Sequence, residues 1–175
     1  KLMTIQINYK KSTSIKANSN FILFVDEKFN IGGLKKYIST DEFSYISDLL
    51  KNSDLKKNFL FFDINSKKTI ILVSVKKDLK VSDIENLGAK FHGYINFDKK
   101  KDYFVNTDTI NSKIENFAGY FLHGIKLKSY EFNIYKSKKN KKNISINLVG
   151  SKNQITSQSQ LRFKAIEEGS FFARD

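Results

Sequence analysis

The sequence predicts a layered α/β domain built on a mixed sheet of about six strands. Three observations carry this. Short apolar runs of strand length alternate with amphipathic runs of helical length. Two of the apolar runs are separated by a polar turn of hairpin type, which makes the sheet mixed rather than purely parallel. The chain has 175 residues, enough for one domain with a real core and too few for two comfortable ones.

The elements follow in order. Met3, Ile5, Ile7 and Tyr9 alternate with Thr4, Gln6, Asn8 and Lys10, the pattern of a half-exposed strand. Phe21-Ile22-Leu23-Phe24-Val25 is continuous apolar sequence, so that strand is expected to be covered on both faces. Residues 40–50 read as a helix with Phe43, Ile46, Leu49 and Leu50 on one side. Phe59-Leu60-Phe61-Phe62 and Ile70-Ile71-Leu72-Val73 are two more doubly covered strands, joined by the polar hairpin turn Asn65-Ser66-Lys67-Lys68. Ser82-Asp83-Ile84-Glu85 has the form of a capping box, in which Ser and the Glu three residues on satisfy each other's free amides. The helix it would open carries Ile84, Leu87, Phe91 and Ile95 on one stripe. Tyr103-Phe104-Val105 is a short strand. Ser112-Lys113-Ile114-Glu115 has the same capping form, ahead of a helix with Ile114, Phe117, Ala118, Phe121, Leu122 and Ile125 at amphipathic spacing. The stretch 136–143 is a charged surface loop. Ile144, Ile146 and Leu148 alternate in a last strand that ends at Gly150. The chain has no internal repeat.

Composition narrows the class. Forty per cent of the residues are hydrophobic, with 16 Phe and 8 Tyr, which supplies a core and excludes a disordered chain. No run approaches the roughly 20 apolar residues of a membrane span. The opening Lys1-Leu2-Met3-Thr4 lacks the apolar block of a signal peptide, so a cytoplasmic location is expected. With no Cys there is neither a disulfide framework nor thiolate chemistry. The net charge of +13 would draw the chain toward nucleic acid, but among 31 basic residues only Arg162 and Arg174 are Arg. Arg gives the forked contacts that phosphates and bases favour, whereas Lys is a solvated point charge. Abundant Lys, Asn, Ile and Phe with no Pro is what AT-rich codon usage produces without selection for binding.

The search for chemistry leaves no catalytic, cofactor-binding or metal-binding residue to assign. His92 and His123 are far apart and have no metal-ligand spacing. His123 is expected to face water, and His92 to pack at the edge of its helix's stripe. Asp41-Glu42 and Glu167-Glu168 are expected to be solvated charges. Gly32-Gly33, after the doubly covered strand, offers backbone that a phosphate could approach, yet a plain turn explains the pair. Asn106-Thr107-Asp108 matches the start of the leucyl aminopeptidase metal signature Asn-Thr-Asp-Ala-Glu-Gly-Arg-Leu. It continues as Thr109-Ile110-Asn111-Ser112 without the ligating Glu, so it reads as a strand end leading into a helix cap.

A resemblance to that family rests on other segments. Ala165-Ile166-Glu167-Glu168-Gly169-Ser170-Phe171-Phe172-Ala173-Arg174-Asp175 resembles the family's Ala-Ile-x-Glu-Gly-x-x-x-Ala-Arg-Asp helix, which joins its two domains. Tyr130-Glu131-Phe132-Asn133-Ile134-Tyr135-Lys136 is similar to the family's Tyr-x-Phe-x-x-Tyr-Lys stretch. Residues 69–88 look like its strand, charged turn and helix ending in a Gly-Ala pair, here Gly88-Ala89. The family usually has two glycines after that strand, where this chain has Ser74 and Lys76.

The resemblance implies a three-layer αβα domain similar to macrodomains at residues 1–155, and a joining helix at 156–175. It implies a non-catalytic N-terminal domain that supports a metallo-exopeptidase removing N-terminal amino acids from peptides. Two divalent ions, zinc or manganese, and the peptide substrate would belong to a C-terminal catalytic domain beyond Asp175, and the whole enzyme would be a cytosolic homo-hexamer. Two alternatives stand beside this: a basic module binding DNA, and a macrodomain binding an ADP-ribose-type ligand through a loop such as Gly32-Gly33. On the last helix Leu161, Ala165, Gly169 and Phe172 share one face. Phe172 is therefore expected on the domain core, and Phe171 or Phe163 on the side of the catalytic domain.

Overall fold

The computed structural model describes residues 2–9, 19–97, 102–134 and 141–169. Six strands, β1 (Leu2–Asn8), β2 (Asn20–Asp26), β3 (Phe59–Asn65), β4 (Lys68–Val75), β5 (Asp102–Asn106) and β6 (Lys141–Val149), form one sheet in the order β1-β6-β5-β2-β4-β3. Neighbours run parallel except β3 and β4, the antiparallel hairpin the polar turn predicts. The helices are α1 (Thr40–Leu50), α2 (Val81–Phe97), α3 (Phe117–Ile134) and α4 (Ser157–Glu167).

Successive side chains of a strand point to opposite faces, and both faces of this sheet are covered. Leu23 and Val25 of β2 pack with Leu34, Ile46 of α1, Phe62 and Ile70. Ile22 and Phe24 pack on the other face with Phe91 of α2, Phe121 of α3 and Phe163 of α4. The result is the expected three-layer αβα arrangement, with α1 and the turn that carries Leu34 on one side. β2 and β4 are buried on both faces, but β3 is an edge strand and its Phe61 is 41% exposed beside Tyr94. Double coverage there holds only for Phe59, Leu60 and Phe62.

Both expected capping boxes are corrected. α2 begins at Val81, so Ser82 already lies inside it. The Asp83 carboxylate accepts from the Lys80 amide at 2.8 Å, which closes the first turn without Glu85. α3 begins at Phe117, because Asn116 adopts φ 60°, a left-handed state that Asn tolerates and an α-helix does not. Ser112 accepts from the Ile114 amide at 3.2 Å in a local turn instead, and Ile114 packs on the core from the loop. The capping box that does form is Ser39 with Glu42 at the start of α1, at 2.9 and 3.1 Å.

α2 and α3 meet through glycine. A Cβ added to Gly88 would lie 2.0 Å from the Phe121 carbonyl oxygen, and one on Gly124 would lie 2.0 Å from that of Glu85. Backbone touches backbone there, and no side chain fits between. α4 is capped by Thr156, whose hydroxyl accepts from the Ser159 amide at 3.2 Å. It ends at Glu167, with Gly169 at φ 69° after it, so the helical spacing drawn from Leu161 through Gly169 is interrupted. The expected faces change accordingly. Phe163, expected on the side of the catalytic domain, is 1% exposed in this domain's own core, while Leu161 is 61% exposed. Phe171 and Phe172 lie outside the described residues, as does most of the charged loop 136–143.

Candidate functional site

In an open α/β sheet, ligands bind beyond the carboxyl ends of the strands, where neighbouring parallel strands send the chain in opposite directions. Here that point lies between β2 and β5. From β2 the chain passes to α1 on one face and on to β3. From β5 it passes to α3 on the opposite face and on to β6. The two connections diverge and leave a crevice. A cavity of about 770 Å³ occupies it, walled by the ends of β2 and β4, the turn from Gly33 to Tyr37, and the segment after β5.

The crevice is held open by hydrogen bonds. Asp26, the last residue of β2, accepts at one oxygen from the amides of Lys28 (3.1 Å) and Asn30 (2.9 Å), and at the other from the Asn30 side chain (2.8 Å). Burial alone would raise its pKa, but these donors outweigh burial and hold it below the usual carboxylate value. Across the crevice the Asn106 side chain accepts from the Asp108 amide at 3.0 Å. The Asp108 carboxylate accepts from the amides of Ser151 (2.9 Å) and Lys152 (2.7 Å). Thr109 accepts from the Phe24 amide at 2.9 Å and donates to the Asn106 carbonyl at 2.7 Å. Asn106-Thr107-Asp108 is thus a strand end with a cap, as its interrupted signature predicts, and together with Thr109 it ties β2, β5 and the end of β6 together.

Five lysines line the cavity: Lys36, Lys76, Lys77, Lys113 and Lys152. All are exposed, and none makes an ion pair among the described residues. Gly32-Gly33 opens a 3₁₀ turn (Gly32–Lys36), and Gly33 is on the cavity wall. Neither glycine has positive φ, and a Cβ on either would meet nothing within 4 Å. Lys76 also lines the cavity. Ser74 is buried, and its amide donates to the Asn58 carbonyl at 2.8 Å.

The remaining candidates are structural. His92 is packed as expected: it is buried 5.7 Å from the Phe132 ring, and its Nε2 has no hydrogen-bond partner among the described residues. Burial, aided by the Lys128 charge, pushes its pKa down to about 4. His123 does not face water. Its Nδ1 meets the Glu85 carboxylate, bridging α3 to α2 beside the glycine contact. One of the four carboxylates expected to be solvated is not: Glu42 caps α1 and pairs with Lys68 on β4 at 2.6 Å, with only 12% of its side chain exposed. Glu167 on α4 stays exposed as expected while it pairs with Lys126, which is buried on α3. Glu168 keeps the expected exposed position, 4.0 Å from Lys164, and Asp41 is exposed. The cause is tertiary: Glu42 sits opposite a basic side chain from a distant element.

Among the described residues no group of three or more His, Cys, Asp or Glu is placed to hold a metal ion, so the donor set does not fit the paired metals of an aminopeptidase. No helix among them is long and apolar enough to cross a membrane.

No family model and no curated protein matches the sequence. Solved structures do match the fold. A mutant of tomato leucine aminopeptidase aligns over 95% of this chain and 36% of its own, with a TM-score of 0.61 and 17% identity. The cytosol aminopeptidase from Coxiella burnetii aligns over 91% of this chain and 30% of its own, with a TM-score of 0.50 and 13% identity. The chain spans about a third of the length of these proteins. Similarity at this identity establishes architecture, and that architecture is the one the sequence resemblance implies. The chain has the fold of roughly one third of a leucine aminopeptidase.

Proposed function

We propose that these residues form the non-catalytic N-terminal domain of a leucyl aminopeptidase, which supports and helps assemble a catalytic domain that follows it. The observation that carries the reading is the near-complete coverage of this chain by a fraction of two aminopeptidases. Two divalent metals, zinc or manganese, and the peptide substrate are assigned to the catalytic domain, and hexamer formation in the cytoplasm to the whole enzyme. Paired-metal hydrolysis needs several converging ligands and a place for the attacking water, and both are assigned to that catalytic domain.

The test is leucine p-nitroanilide hydrolysis by the 175-residue chain with manganese or zinc added. No turnover is expected. Metal-dependent turnover that survives removal of contaminating peptidases would overturn the reading. Affinity for duplex DNA should be weak and gone near 150 mM salt, since scattered Lys gives counterion release with few fixed contacts. Submicromolar binding at about that salt concentration would favour the DNA-binding alternative instead.

A further inference from the structure

We propose that β3 pairs with the β3 of a second copy of this chain, antiparallel about a two-fold axis, joining the two sheets edge to edge. β3 is the last strand of the sheet and has β4 on one side only. Edge strands usually carry charge or proline that discourages such pairing. Asn58-Phe59-Leu60-Phe61-Phe62 carries neither.

Hydrogen bonding fixes which residues face outward. The Ser74 amide of β4 donates to the Asn58 carbonyl opposite it at 2.8 Å. In an antiparallel pair, residues bonded to their partner alternate with residues whose N–H and C=O turn the other way. Leu60 and Phe62 therefore bond β4, while Phe59, Phe61 and Asp63 turn theirs to the open side. The Tyr45 hydroxyl agrees with this phase, because it reaches the Asp63 carbonyl from α1 at 3.4 Å. Apolar surface flanks the edge on both faces: the exposed Tyr94 lies 4.8 Å from Phe61 on one, and the exposed Tyr45 stands on the other. A bulge between Asp63 and Asn65 ends the flat stretch.

Charge selects the occupant and the register. One two-fold register sets Phe59 opposite Phe61 and Lys57 opposite Asp63, and the axis repeats both pairs. Each Phe59–Phe61 pair would exchange N–H···O bonds in both directions, with the rings meeting on the face of Tyr94. Shifted by one step of the ladder, Asp63 would oppose Phe59 instead. Asp63 is exposed while it accepts from the Thr69 hydroxyl at 2.7 Å. The net charge of +13 opposes association at a distance, but at physiological salt that repulsion is screened beyond about 8 Å. The inference stands independently of the aminopeptidase reading.

Sedimentation velocity of the chain over a micromolar concentration series at physiological salt is the test. A concentration-dependent dimer is expected. Phe61→Lys and Lys57→Asp, both at exposed positions, should each weaken it at least tenfold without lowering the melting temperature. Leu161→Lys, exposed far from β3 on α4, should change it less than twofold. Asp63→Lys alone should also be monomeric. Mixed with Lys57→Asp it should form a dimer of one chain of each, because every Asp then faces a Lys. A parent chain that stays monomeric throughout, as it would if the edge takes a strand of another protein, overturns the proposal. So does a dimer that Phe61→Lys and Lys57→Asp leave intact, or two folded charge variants that fail to combine.

Discussion

Two pairs of glycines and two sets of lysines divide this molecule. At the crossing of α2 and α3, Gly88 and Gly124 stand where any side chain would enter a neighbouring carbonyl, and the charges nearby are matched: His123 with Glu85, Lys126 with Glu167. At the carboxyl end of the sheet, Gly32 and Gly33 stand in open space, and five lysines make no ion pair among the described residues. The same residue types close one region and leave the other open. Only the surroundings, not the residue identity, say which role a Gly or Lys has. The closed region follows from packing. The open one does not.

The largest expected effect comes from breaking the closed region. Gly88→Ala or Gly124→Ala forces two helices apart, and overpacking of this kind costs about 3 kcal/mol where backbone is the obstacle. Gly32→Ala and Gly33→Ala should instead raise stability by up to about 0.5 kcal/mol through the unfolded chain. Urea titration of the four variants makes the comparison. Equal losses at both pairs would erase the distinction.

The lysines give a smaller contrast. Glu167→Ala leaves the Lys126 ammonium buried without its carboxylate, which should cost about 2 kcal/mol. Lys113→Ala at the exposed rim should change stability by less than about 0.5 kcal/mol. Matched losses would mean that Lys113 also holds the fold.

His92 sharpens the closed side by pH. Its folded pKa is lowered to about 4 from an ordinary value of 6.5. Between those values the unfolded chain binds more protons than the folded one, so stability is full above about pH 6.5 and falls as the pH drops toward 4. His92→Phe should flatten that part of the stability profile, as read by thermal melting across pH 4–7. An unchanged slope would assign the acid sensitivity to other groups.

Much of the architecture is legible in the sequence. Period-two alternation gives β1 and β6, continuous apolar runs give β2 and β4, and the polar turn gives the one antiparallel pair. The bounds of α1 follow because its cap is local and undisputed. The two Ser-x-x-Glu signatures mislead because that pattern also fits inside a helix or ahead of a left-handed Asn, and Glu85 is drawn off by His123 from a different helix. The cavity is not legible at all as a unit. Its wall is assembled from segments around residues 24–37, 75–78, 108–113 and 152, which only the crossovers bring together. Its separate signals, Gly32-Gly33 after β2 and Lys76-Lys77 after β4, each read as an ordinary turn or a solvated charge.

The functional account is tested most directly on a form of the chain extended past Asp175 by the proposed catalytic domain. After metal stripping and reconstitution with manganese or zinc, bound metal per chain and leucine p-nitroanilide turnover are measured beside the 175-residue chain. The account predicts two metals per chain and metal-dependent turnover in the longer protein, with neither in the shorter one. A continuation that binds no metal and leaves the substrate intact, or a 175-residue chain that hydrolyses it alone, would contradict the assignment.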